Sequence, residues 1–326
     1  MNRTIDYLRI SVTDRCNLRC VYCMPEKGVP AFSHDEVLRY EEIERVAHIA
    51  VGLGIVHLRL TGGEPLVRKG IVDLVAMLAR IPGLESLAMT TNGTLLAPMA
   101  HSLRQAGLQR VNISLDTLRP ERFRAITRRG ELADALAGIE AAHAAGLEPV
   151  KINVVPIRGL NDDEVVDFAR LTLDQGWHVR FIEWMPLGES AYSAREGLVS
   201  GPELRRRIEE TFGPLAPAEV EGNGPARVWR IAGASGTIGL ISALSEHFCH
   251  TCNRLRLTST GALLPCLFSN LEFDLRTPLR AGADDATLRR VFREAIAHKP
   301  ACHRLNETDG RATAAAASRE MSRIGG

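Results

Sequence analysis

The sequence predicts an α/β fold: an incomplete, laterally open (β/α)6 barrel of the TIM type over residues 1–200, with a smaller α+β domain over residues 201–326 covering the opening. Three observations predict it. Strand-like and helix-like runs alternate six times before residue 200, which with right-handed crossovers gives a parallel sheet. Several of those strands alternate apolar and polar residues, whereas a parallel sheet covered on both faces reads as continuous apolar runs. Six units are also too few for a closed eight-stranded barrel, so the polar face is expected to line a wet, ligand-holding interior.

Each element follows from its spacing. In the first strand, 7–13, Leu8, Ile10 and Val12 alternate with Arg9, Ser11 and Thr13. Residues 35–52 carry Val37, Ile43, Val46 and Ile49 at helical intervals, with acidic residues near the start. The strand at 56–61 sets Leu58 and Leu60 against Arg59 and Thr61. A helix over 68–80, a strand over 86–91 and a helix over 95–106 follow. The strand at 110–116 sets Val111, Ile113 and Leu115 against Asn112, Ser114 and Asp116. After a helix at 132–145, the strand at 150–156 sets Ile152 and Val154 against Lys151 and Asn153. A helix at 162–175 and a strand at 179–185 complete the series, although Arg180 and Glu183 in that strand have opposite parity. Beyond 200 come a helix at 202–211, a turn-rich segment at 213–225 and short strands such as 227–231. Gly222-Asn223-Gly224-Pro225 reads as turn chemistry alone.

With 326 residues, 45% of them hydrophobic and 24% charged, the chain can bury one large core plus a smaller unit. A net charge of +1 argues against nucleic acid or a membrane surface as partner. No apolar run approaches ~18 residues, and the N-terminus lacks a secretory apolar stretch. Six of the seven cysteines fall in two triplets, which suits a reducing compartment, the cytoplasm, where thiols serve metals.

The first triplet, Cys16-Asn-Leu-Arg-Cys20-Val-Tyr-Cys23, lies in the loop after the first strand. Three thiolates leave one iron of an iron-sulfur cluster without a protein ligand, where a small molecule can bind. Zinc completed by a distant histidine is the competing reading. The motif resembles that of the radical S-adenosylmethionine enzymes, in which an aromatic residue, here Tyr22, precedes the third cysteine. The resemblance implies S-adenosylmethionine on the open iron and its cleavage to a 5′-deoxyadenosyl radical. Other unusual residues cluster at the same carboxyl ends of the strands, where barrels carry their functional groups: Gly62-Gly63-Glu64-Pro65, Thr90-Thr91-Asn92-Gly93, Ser114-Leu115-Asp116 and Trp184-Met185-Pro186.

Arg9, Arg59 and Lys151 share the polar face, and Arg180 has a similar place in the sixth strand. Singly, each could pair with a carboxylate or reach solvent. Together they call for an anion, because at an effective dielectric of about 20 two positive charges ~6 Å apart repel by roughly 3 kcal/mol.

The second triplet is Cys249-His-Thr-Cys252 with Cys266 across a hairpin that turns at Thr260-Gly261. Its spacing fits zinc, with His247 or His250 as fourth ligand, as well as it fits iron-sulfur. Arg254 and Arg256 share one face of the intervening strand and suit phosphate or carboxylate recognition.

Taken with Tyr7 to Cys16, Arg59 to Pro65, Thr90 to Gly93, Asn112 to Asp116, Val150 to Asn153, Phe248 to Arg256, Cys266 to Phe268 and the terminal Gly325-Gly326, the chain resembles the GTP 3′,8-cyclases, which begin molybdenum cofactor biosynthesis. That resemblance implies two 4Fe-4S clusters, on Cys16, Cys20 and Cys23 and on Cys249, Cys252 and Cys266. It places Tyr22, Gly63, Ser114 and Met185 at S-adenosylmethionine, and Arg9, Arg59, Thr90, Lys151, Arg254, Leu255 and Arg256 around GTP. Arg180, Gly325 and Gly326 are implied in catalysis, the two glycines as a narrow tail able to enter a cavity. The implied product is 3′,8-cyclo-7,8-dihydro-GTP, passed to cyclic pyranopterin monophosphate synthase, with an electron donor as a further partner and a monomer or homodimer as the assembly. A radical peptide or nucleoside modifier with an auxiliary cluster, and a zinc-stabilised nucleic-acid-binding module, are the alternatives. Cys302 matches neither triplet and reads as a spare thiol; Met24, the histidines at 48, 57, 101 and 143, and Arg128-Arg129 have structural or surface readings.

Overall fold

The computed structural model describes residues 3–185, 187, 197–303 and 321–324. Six strands, β1 (Tyr7–Ser11), β2 (His57–Thr61), β3 (Ser86–Thr91), β4 (Arg110–Ser114), β5 (Lys151–Val154) and β6 (His178–Ile182), pair in parallel in chain order. Their connections carry α1 (Tyr40–Val51), α2 (Ile71–Ala79), α3 (Ala100–Gln105), α4 (Pro120–Thr127), α5 (Leu132–Ala144) and α6 (Val165–Asp174).

The C-terminal part adds α7 (Gly201–Phe212), β7 (Ala216–Pro217), β8 (Arg227–Arg230), β9 (Thr237–Ile241), β10 (Arg254–Leu257), β11 (Ala262–Leu264), β12 (Phe273–Asp274), α8 (Arg276–Arg280), α9 (Asp285–Ala297) and α10 (Met321–Ile324). Its strands extend the barrel sheet at both edges. β10 lies parallel to β1 and β9 parallel to β6, giving one twelve-stranded sheet whose ends are β12 and β7. The sheet does not close on itself, so the barrel is incomplete.

The alternation in the strands decides where each side chain goes. Leu8, Ile10, Leu58, Leu60, Val111, Ile113 and Ile152 join Ile43 and Val46 of α1, Leu74 of α2 and Phe168 of α6 in one core. Burial of each such side chain contributes about 1.5–3 kcal/mol. Residues of the other parity, among them Asn112, Lys151, Asn153 and Arg180, are also buried, but on the opposite, inner side.

Helix starts differ from their expected places because local hydrogen bonds fix them. α1 begins at Tyr40, five residues late, where Glu42 accepts from the Arg39 amide at 2.6 Å. Residues 120–127, not expected as a helix, form α4, opened by Pro120 at a first-turn position. The odd parity of the sixth strand is also resolved. β6 ends at Ile182, so buried Glu183 leaves the pleat and accepts from the amides of Gly201 and Leu244 at 2.8 Å and of Ser245 at 3.0 Å. Among the described residues, no helix is long and apolar enough to cross a membrane.

Candidate functional site

The first cysteine loop is braced from α4. The amides of Arg19 and Val21 each donate at 2.9 Å, to the carbonyls of Thr127 and Ile126. Arg128, held with a positive φ of 56° at the end of that helix, donates to the carbonyls of Arg19 and Met24, each at 3.1 Å. The Leu18 amide and Asn92 Nδ2 point at Cys16 Sγ, 3.4 and 3.9 Å away. Burial pushes the Cys16 thiol up to about 11 and holds Cys20 well above its ordinary value. Such thiols are poor anions alone; a metal centre that takes them as thiolates reverses this, and the donors around Cys16 favour the same form.

Gly63 shows how tightly this rim is built. A Cβ on it would lie 2.4 Å from the Arg15 carbonyl oxygen, so only glycine lets the two loops run this close. The Gly63 amide donates to Thr13 and the Glu64 amide to Arg15, both at 2.8 Å. Buried Glu64 accepts from Thr91 Oγ1 and the Asn92 amide at 2.7 Å and from the Leu66 amide at 3.0 Å. Burial nevertheless lifts its carboxyl to about 7. Tyr22 donates to Asp116 Oδ2 at 2.5 Å, and the Val155 amide donates to Oδ1 at 2.9 Å, so Asp116 ties the cysteine loop to the ends of β4 and β5. Burial raises Asp116 to about 6 against both bonds.

Strand register stacks the basic residues. Arg256, Arg9 and Arg59 are direct neighbours across β10, β1 and β2; Thr90, Asn112 and Lys151 across β3, β4 and β5; Ser114, Asn153 and Arg180 across β4, β5 and β6. Arg180 donates from Nε and Nη2 to Asn153 Oδ1 at 3.0 and 2.6 Å, and Arg59 donates to the Tyr7 hydroxyl and to Thr90 Oγ1. Burial first, then neighbouring guanidinium groups, pushes Arg9 well below its usual value, Arg256 to about 10 and Arg180 to about 9. Lys151 falls to about 7 from burial, Arg180 and Arg59. Burial works to raise the Tyr7 phenol, but Arg59 and Arg9 outweigh it and lower it. The lumen therefore favours an anion.

The second triplet lies at the adjoining edge. Cys249 opens a 3-10 turn, Cys252 precedes β10, and the β10–β11 hairpin returns Cys266 to the same place. Lys299 Nζ donates to the carbonyls of Arg254 and Pro265, both at 2.7 Å, and also contacts Cys252. Burial works to raise the Cys252 thiol, but Lys299 and Arg254 bring it below its ordinary value.

All six triplet cysteines and five arginines, Arg9, Arg59, Arg180, Arg254 and Arg256, line a single cavity of about 340 Å3. Tyr22, Gly63, Thr90, Ser114 and Met185 line it too. Two residues named from the sequence are placed differently. The Leu255 side chain is fully buried in the apolar core, leaving only its backbone for a ligand, because its parity opposes that of Arg254 and Arg256. Lys151 stands outside the cavity wall and donates to the Glu221 carbonyl. Gly325 and Gly326 lie outside the described residues, but Met321 lines the cavity and Ile324 is buried against Leu187 and Leu264.

The sequence reading passed over several groups. Arg128, read as structural or surface, braces the cysteine loop in particular. The segment 221–224 crosses the lumen: its Glu221 side chain pairs with Arg110, its Glu221 carbonyl accepts from Lys151, and its Asn223 carbonyl accepts from Arg254 at 3.1 Å. The pairing of polar carbonyls with lumen cations arises between distant segments, and no local signal announces it; the regular turn composition was the visible part.

An open parallel barrel with a CxxxCxxC loop at its carboxyl rim defines a radical S-adenosylmethionine protein. Residues 10–172 match the Radical SAM superfamily and residues 177–305 match Molybdenum Cofactor Synthesis C. Streptococcus suis SuiB bound to S-adenosylmethionine shares the fold, at a TM-score of 0.60 and 14% identity over 86% of this chain and 66% of that one. So does anSMEcpe with bound AdoMet, at 0.55 and 15% over 82% and 74%. The GTP 3′,8-cyclase of Heliobacterium modesticaldum is 58% identical over 93% of both chains. Those of Pelotomaculum thermopropionicum and Moorella thermoacetica are 53% and 52% identical, each over 99% of this chain and 98% of the relative. The chain belongs to the GTP 3′,8-cyclase family.

Proposed function

We propose that the protein converts GTP to (8S)-3′,8-cyclo-7,8-dihydroguanosine 5′-triphosphate, the first step of molybdenum cofactor biosynthesis. The observation that carries this reading is the shared cavity: two incomplete cysteine sets open onto one arginine-lined lumen. Cys16, Cys20 and Cys23 would hold one 4Fe-4S cluster with S-adenosylmethionine, and Cys249, Cys252 and Cys266 a second. When bound, the first cluster and S-adenosylmethionine, with one electron from the donor, would supply the radical that takes hydrogen from ribose C3′; C3′ then bonds to C8, and a second electron with a proton at N7 completes the dihydro product.

The chain's own residues do the rest. Tyr22, fixed by Asp116, and Gly63, lying flat on Arg15, shape the S-adenosylmethionine side together with Ser114 and Met185. Arg9, Arg59 and Arg180 offer the charge that a triphosphate needs, with Lys151 behind them and Thr90 beside Arg59. Arg254 and Arg256 flank the second triplet and would hold the nucleotide against it. The terminal Gly325-Gly326 would enter the cavity beyond Met321. The reading extends to a cytoplasmic setting, supported by thiols grouped for metal; to an electron donor; and to a downstream cyclic pyranopterin monophosphate synthase as consumer of the product.

Anaerobic reconstitution with iron and sulfide should yield about eight irons per chain. Incubation with reductant, S-adenosylmethionine and GTP should then release 5′-deoxyadenosine and the cyclised nucleotide together. Equal release of 5′-deoxyadenosine without GTP, with no cyclised product, rejects the reading.

A further inference from the structure

Cys302, which belongs to neither triplet, is not isolated. Its Sγ lies 3.6 Å from His247 Nε2 and 3.8 Å from Nδ1, and it meets the Cys249 thiol. The ligand atoms of His247, Cys249 and Cys302 all fall within 4.8 Å of one another. Tetrahedral zinc with Zn–S of about 2.3 Å and Zn–N of about 2.0–2.1 Å holds sulfur and nitrogen about 3.6 Å apart. The Cys302–His247 separation is of that size, and because the thiol flanks the ring, close to both nitrogens, the exposed His247 ring must turn to aim one of them at an ion. The two thiols are also closer than neighbouring corners of a four-iron cube would hold their cysteines, so the group suits one ion and not a cluster.

We infer that His247, Cys249 and Cys302 form a mononuclear site for a zinc-class divalent ion, exclusive of the second iron-sulfur cluster because both need Cys249. Two thiolates and an imidazole are the borderline-soft donors that zinc prefers, and exposed His247 leaves the fourth position to water. The supporting shell is present. The His303 amide donates to Cys249 Sγ, and the His303 ring, fixed by a 2.9 Å bond from Nε2 to the Ala243 carbonyl, stands edge-on to His247 with centroids 5.5 Å apart. Exclusivity rests on the cluster reading of Cys249; the three-ligand site itself does not.

The test titrates cobalt(II), as the spectroscopic stand-in for zinc, into the full-length chain in its reduced, cluster-free and its iron-reconstituted forms. The cluster-free chain should bind one cobalt with thiolate-to-cobalt charge-transfer absorption, displaced by zinc. Cys302→Ala and His247→Ala should each weaken binding at least about tenfold, the least that loss of a ligand costs when loss of an outer partner costs as much. Cys266→Ala should leave it unchanged, and the reconstituted chain should bind none. Cys302→Ala should still take up about eight irons and keep GTP-dependent turnover. Equal binding by the reconstituted chain overturns the exclusivity, and unchanged cobalt affinity in Cys302→Ala or loss of binding in Cys266→Ala overturns the site. Loss of half the iron in Cys302→Ala overturns it as well, because Cys302 would then belong to the cluster.

Discussion

The Tyr22 hydroxyl donates to Asp116 at 2.5 Å, joining the cysteine loop after the first strand to the carboxyl end of the fourth. Asp116 is buried and Tyr22 half-buried, so the carboxylate depends on this donor more than a surface acceptor would.

Tyr22→Phe leaves Asp116 Oδ2 without this donor. The expected loss is about 1–3 kcal/mol of unfolding free energy, the range for a stranded buried acceptor. In a double-mutant cycle with Asp116→Ala, measured by urea denaturation, the two changes should couple by about 0.5–3 kcal/mol. Simple additivity would show that the bond does not hold the loop.

Gly63→Ala drives a methyl group to 2.4 Å from the Arg15 carbonyl, a backbone atom that cannot swing aside. Overpacking of this kind costs about 1–3 kcal/mol. The variant should melt earlier and bind S-adenosylmethionine more weakly in equilibrium dialysis, while retaining the second set of four irons.

Lys151 sets a pH dependence. Its pKa in the folded chain is depressed to about 7 from 10.5, by burial and then Arg180 and Arg59. Between those values the unfolded chain binds more protons, so the nucleotide-free protein should gain stability as pH rises from about 7 toward 10, lose it as pH falls back from 10 to about 7, and show no further change from this group below that. A bound triphosphate favours the ammonium and reverses the sign. GTP affinity, followed by calorimetry, should therefore fall as pH climbs above 7, and Lys151→Met should flatten the profile.

Lys299→Met removes two hydrogen bonds, to the carbonyls of Arg254 and Pro265, that clasp both sides of the second triplet. A stability loss of about 1–3 kcal/mol is expected. Iron analysis after reconstitution should fall from about eight toward four, with the first triplet unaffected. Full iron content would show that the clasp is dispensable.

Much of this architecture was legible in the chain. Arg9, Arg59 and Lys151 betray the inner face because period-two alternation is a local pattern, and the register then sets Arg256 beside Arg9 without further instruction. The cysteine spacings are equally local. What stayed hidden depends on pairing across long separations: Arg128 reaching back to Arg19, Glu221 crossing to Arg110 and Lys151, and Cys302 returning to His247. Glu183 misled for another reason. Its strand stops one residue earlier, and alternation carries no meaning past a strand's end.

The parallel pairing of β1 with β10 has a consequence for synthesis. Residue 7 emerges from the ribosome long before its neighbour at residue 254, so the outer edge of the opening strand has no native partner while most of the chain is being made. Unpaired edges invite association with other nascent chains. Co-translational folding of this protein must therefore end with a late docking step, and truncations that spare the whole six-stranded barrel but stop before residue 254 should aggregate.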